Sequence, residues 1–92
     1  MANIRGKSFK AIAFDVSEGY VAVNPLFLKP LESDVIKGLY EELLKMQSEI
    51  RGEPIKHGDI ASIRWRNMRL QRLYSAAMII KNFARERRLG LS

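Results

Sequence analysis

Asp59 to Arg88 reads DIASIRWRNMRLQRLYSAAMIIKNFARERR, and the rest of the chain must be arranged around whatever this stretch becomes. As a helix of about thirty residues it would run roughly 45 Å at 1.5 Å per residue. On a helical wheel Ile63, Leu70, Leu73, Tyr74, Ala77, Ile80 and Ala84 fall on one broad stripe. Within that stripe Leu70, Leu73, Ala77, Ile80 and Ala84 step alternately by three and four, the spacing of a helix seam. A second apolar set, Trp65, Met68, Ala76, Ile79 and Phe83, lies on a different side, and only a narrow wedge of Arg64, Asn67, Gln71, Ser75 and Asn82 is cleanly polar. A helix apolar on two sides needs two covers.

The first cover is a shorter helix over 32–51. Ser33 suits the N-cap, and the acidic side chains around it suit the positive end of the helix dipole. Val35, Ile36, Leu39, Leu43, Met46 and Ile50 form its apolar stripe, while Glu41 and Lys45 make an i,i+4 pair in the favourable order. Gly38, inside the helix, costs about 1 kcal/mol relative to alanine and suggests a close neighbour or simple tolerance. Gly52 and Pro54 end this helix, and Asp59 after Gly58 caps the next. A connection this short makes the two helices antiparallel neighbours.

The second cover must be the N-terminal segment or another chain, and the N-terminal segment is the obvious candidate. In SFKAIAFDVSEGYVAVN, residues 8–24, apolar residues alternate with a period of two, Ser17-Glu18-Gly19 offers a turn, and Asn24-Pro25 stops the return strand. Two strands are marginal in water unless they lie on something, and the second apolar face of the long helix is available. Leu26, Phe27 and Leu28, between Pro25 and Pro30, read as an apolar plug at one end of the core, the other reading being an exposed docking tag. The expected architecture is therefore α+β, a single domain over 1–92: a β-hairpin (8–24) packed on an antiparallel pair of helices, ββαα, made of an acidic amphipathic helix (32–51) and a long basic helix (59–88).

Composition narrows the class. At 47% hydrophobic and 28% charged, the chain is globular rather than disordered. Without cysteine it has neither a disulfide scaffold nor a thiolate metal site, which fits a reducing, cytoplasmic setting. The basic start MANIRGKSFK is followed by AIAFDV, too short for a secretory core, and no apolar run approaches a membrane span. Net charge is +6, unevenly placed: +2 over residues 1–30, −3 over 31–59, and +7 over 60–92, where eight cations face Glu86 alone.

Catalytic signatures are not visible. The single histidine, His57, sits in a Lys-His-Gly-Asp turn whose aspartate is better explained as a helix cap. There is no HExxH, no phosphate loop and no GxGxxG, and the serines lack a histidine base. No enzyme, metal, cofactor, small-molecule substrate or membrane role is expected. What stands out is a set of arginines, Arg64, Arg66, Arg69 and Arg72 around Trp65, and then Arg85, Arg87 and Arg88. Planar guanidinium forks suit phosphate, and Trp65 can stack on a base or on a guanidinium. Against that, the first four arginines wind about the helix instead of sharing a side. Trp65, Met68, Ile79 and Phe83, with Arg69 and Arg72, equally suit a protein interface.

The sequence thus points to a small basic accessory module of a nucleic-acid-associated complex. It would bind a partner protein or a second copy through Trp65, Met68, Ile79 and Phe83 and approach DNA or RNA through its arginines. The alternative is a structural or oligomerising adaptor without nucleic-acid contact, its arginines paired with Glu41, Glu42 and Glu49 or with an acidic partner.

Overall fold

A computed structural model describes residues 3–4 and 6–90. Two strands of two residues each, β1 (Asn3–Ile4) and β2 (Lys7–Ser8), pair antiparallel, Asn3 opposite Ser8 and Ile4 opposite Lys7. Four helices follow: α1 (Phe9–Ser17), α2 (Pro25–Leu28), α3 (Ser33–Arg51) and α4 (Ile60–Glu86). The protein is mostly helical, and the ββαα expectation is overturned: residues 8–24 hold a helix and an irregular connector where the β-hairpin was expected.

The reason lies in an ambiguous pattern. Apart from Lys10 and Asp15, both the odd and the even positions of 9–16 are apolar, so alternation there carries little information about a strand. The 3.6-residue period prevails: Ile12, Ala13 and Val16 are buried together, while Lys10 and Phe14 face outward. Ser8 caps the helix by accepting a hydrogen bond from Ala11 N at 3.1 Å. Lys7 Nζ and Asp15 Oδ2, 2.7 Å apart, tie β2 to the helix. The supposed hairpin turn is the helix's C-terminal cap. Gly19, at φ +83°, donates to Val16 O, and Tyr20 N donates to Asp15 O at 2.8 Å, which together make a Schellman motif.

After an extended connector, Asn24 caps α2 by accepting from Phe27 N, with Pro25 at the first helical position. Phe27 and Leu28 are buried and do plug the core, whereas Leu26 is 81% exposed. In α3 the expected stripe is buried apart from Val35, which is partly covered, and Gln47 joins it. The N-cap is Glu32, without a side-chain cap bond, so Ser33 is the first helical residue and not the cap. Gly38 has the close neighbour its position implies: a Cβ there would collide with the ring of Phe9, lying 2.8 Å from Cδ2.

The core is formed where α1 packs against both α3 and α4, with α2 closing on α4. Leu28, Ile36, Leu39, Leu43, Leu73 and Ile80 are its largest fully buried apolar side chains. Along α4 the burial is uneven. Leu73, Ala76, Ala77, Ile80, Phe83 and Ala84 are buried, and none of residues 60–72 is. The seam is therefore correct from Leu73 onward, Leu70 is partly buried, and Tyr74, placed on the seam by the wheel, is 59% exposed.

Candidate functional site

The 27 residues of α4 exceed the 19 of α3, and a single ion pair shows where the excess lies. Glu53 Oε1, one residue past the cap of α3, accepts from Arg69 Nη2 at 2.9 Å. Residues 60–68 therefore run on beyond the end of α3, about 13 Å of helix at 1.5 Å per residue. The overhang begins at Asp59, which caps α4 through Ser62 N at 3.1 Å and Ser62 Oγ at 2.7 Å. Those two bonds, the side-chain one foremost, hold the Asp59 carboxyl below the usual carboxylate range.

On this projecting part Trp65 and Met68 stay 40% and 44% exposed. Of the four residues expected at a partner interface, these two are accessible, Ile79 is partly buried against the core, and Phe83 is only 7% exposed. Phe83 is a core residue that supports Arg87, whose guanidinium carbon lies 4.7 Å from its ring centroid. The expected patch is thus half surface and half core: Trp65 and Met68 stay accessible while Ile79 and Phe83 belong to or pack against the core.

The arginines do not form one phosphate-facing set. Arg69 is held by Glu53 and lies 5.8 Å from the Trp65 centroid. Arg72 donates from Nη1 to Ser17 O at 3.0 Å, and its guanidinium carbon is 5.7 Å from the same ring, within cation–π range. Arg72 thus satisfies a terminal carbonyl of α1 and sits favourably at the negative end of that helix's dipole. Neither cation pairs with Glu41, Glu42 or Glu49, the intramolecular form of the adaptor reading, whose other form pairs the arginines with an acidic partner. Arg64 is exposed and Arg66 partly covered; Arg85 donates to Asn82 Oδ1 at 2.6 Å, while Arg87 and Arg88 are exposed at the far end of α4.

Beside Arg72 lies a groove of about 450 Å³ between α4 and the connector after α1. Val16, Val23 and Ala76 form its floor, and Val21, Met68 and Ile79 its walls, with Gln71 and Ser75 along one polar edge. Arg72 is the one charged residue lining it, and no carboxylate does so among the described residues. Gly19 also belongs to the groove, since a Cβ there would stand 3.0 Å from the guanidinium carbon of Arg72. Reading the sequence as a hairpin missed Gly19 and the connector. A glycine just past a helical run is a C-cap signal that would have found them.

A second hollow of about 450 Å³ at the opposite end of α4 is lined by Lys81, Arg85 and Arg88 with Ala84, Leu89 and Gly90. His57 is exposed on the loop between α3 and α4. No three of histidine, cysteine, aspartate or glutamate converge among the described residues, and none of the described helices is long and apolar enough to cross a membrane. No protein-family model, curated protein or solved structure matches the chain.

Proposed function

We propose that the protein is a small basic interaction module that binds a partner protein along the flank of α4, without catalysis. A single observation carries the reading: Trp65 and Met68 are left accessible on a helix that outruns its neighbour, beside an apolar groove that the described residues leave open. Tryptophan, methionine and arginine are the residue types enriched at interface centres, and a rigid helix presents them without an ordering cost. Glu53 occupies Arg69, which leaves Arg72 as the one charged residue lining the groove, too few cations for a phosphate-tracking surface on that side.

Nucleic-acid association is kept as a second reading for the other end of α4, where among the described residues no carboxylate lines the hollow of Lys81, Arg85 and Arg88. The two readings separate by size analysis of the tagged full chain in an extract of its source cells. The docking reading predicts a discrete assembly larger than the free chain that survives nuclease and dissociates with Met68→Glu. An assembly dissolved by nuclease and indifferent to Met68→Glu, or a chain that runs free, overturns it.

A further inference from the structure

We propose that the groove beside Arg72 receives a short acidic–apolar segment of the partner, an apolar side chain seated on Val23, Ala76 and Ile79 and an adjacent carboxylate bound by the Arg72 guanidinium. The inference rests on the docking reading and names the chemistry of what docks. Arg72 is a prepared receptor, not a solvated surface cation. Its Nη1 is fixed by Ser17 O, one face of the guanidinium lies over Gly19, and the Trp65 ring is 5.7 Å away. Nη2 has no hydrogen bond among the described residues, and the side chain lines the groove. A guanidinium so restrained loses little side-chain entropy when it binds, and its fork matches a carboxylate.

Charge decides the sign of the occupant. The groove wall holds one cation and no acid, while Arg64 is exposed on the same helix and Arg69 lies 5.8 Å from the Trp65 ring centroid. Glu18, at the cap of α1, does not line the groove, and the α1 dipole offsets about half a charge of Arg72 at most. A net positive field remains over an apolar floor. A hollow of about 450 Å³ with one convergent polar group is the usual form of a small recognition pocket. Gly19 belongs to this design, because any side chain there would displace the guanidinium and would also adopt φ +83°.

The test is a phage display of octapeptides against the full chain, followed by Trp65 fluorescence titration with the selected peptides and with versions in which Asn and Gln replace Asp and Glu. Expected are peptides with a carboxylate within two residues of Leu, Ile or Phe, an affinity loss of tenfold or more for the amide versions, and a similar loss with Arg72→Lys, which keeps the charge but not the fork. Arg64→Lys should bind within twofold of the parent. Circular dichroism establishes that Arg72→Lys is folded; if it is not, Met68→Glu, which puts a carboxylate at the groove wall, must abolish binding instead. Peptides with no acid preference, or equal binding to Arg72→Lys in its folded form, overturn the carboxylate assignment. A display that selects nothing overturns the peptide itself, and the docking reading then stands or falls by the size analysis alone. Duplex oligonucleotide that competes for Trp65 and depends on Arg72 would identify phosphate as the occupant and also refute the proposal.

Discussion

Replacing Gly38 with alanine tests the packing of α1 on α3, on which the groove depends. Two effects oppose each other. In a helix interior alanine is better than glycine by about 1 kcal/mol. Here the new Cβ would overlap the Phe9 ring, and relieving overpacking of this kind costs about 1–3 kcal/mol. Phe9 is the first residue of α1 and only partly buried, so part of the strain can be relieved by moving its ring, at the expense of its contact with the core. The expected net result is a loss of about 1 kcal/mol, or roughly 4–8 °C in Tm for a domain of this size. With Phe9→Ala the obstacle is gone, and Gly38→Ala should then stabilise by about 1 kcal/mol. Urea unfolding followed by far-UV circular dichroism in all four combinations gives a coupling of about 2 kcal/mol, well above the few tenths expected of independent sites. A Gly38→Ala gain that is the same with and without Phe9 would show that the ring does not lie over Gly38, and α1 would have to be placed elsewhere.

Leu73→Ala should cost about 2–5 kcal/mol by urea unfolding, since Leu73 is fully buried in the core. Arg88 occupies the left-handed position of the cap on α4, at φ 58°, with Leu89 N bonded to Ala84 O at 2.7 Å. Relieving its unfavourable backbone by Arg88→Gly should therefore raise stability by about 0.5–1 kcal/mol in the same assay, despite the removal of a cation. The depressed Asp59 carboxyl has a folded pKa below its unfolded value, so its stabilisation is present above the unfolded pKa near 4 and is lost as pH falls through the folded value. Asp59→Asn should accordingly flatten the acid limb of a stability-against-pH profile and leave its slope near neutrality unchanged.

The two long helices were legible to within a few residues because their signals are local. Asp59 was correctly read as a cap, Gly52 ends α3, and the wedge of Arg64, Asn67, Gln71, Ser75 and Asn82 is exposed throughout. The N-terminal quarter was not legible. Phe9, Ile12, Ala13 and Val16 fit a helix, and Phe9, Ala11 and Ala13 a strand, so the outcome rested on Ser8 and Gly19 as caps. The site was read in part. Trp65 and Met68 are on the surface, but Phe83, placed in the same patch, is buried in the core. What holds Arg69 and Arg72 could not be foreseen from spacing. Glu53 lies in a loop, and Ser17 O is a backbone group 55 residues away that is exposed only because α1 ends there.

The claim that the α4 flank is the working face is tested most directly by walking a photo-crosslinking residue along α4 in the source cells. Positions 67, 68, 71, 74, 75, 78 and 79 are substituted one at a time. The structure predicts crosslinks to one discrete protein from 68, 75 and 79, which border the groove, and none from 67 and 74, which point about 80–140° away around α4, with 71 and 78 intermediate. Crosslinks from 67 and 74 with silence at 68 and 75 would put the partner on the other side of the helix and contradict the account.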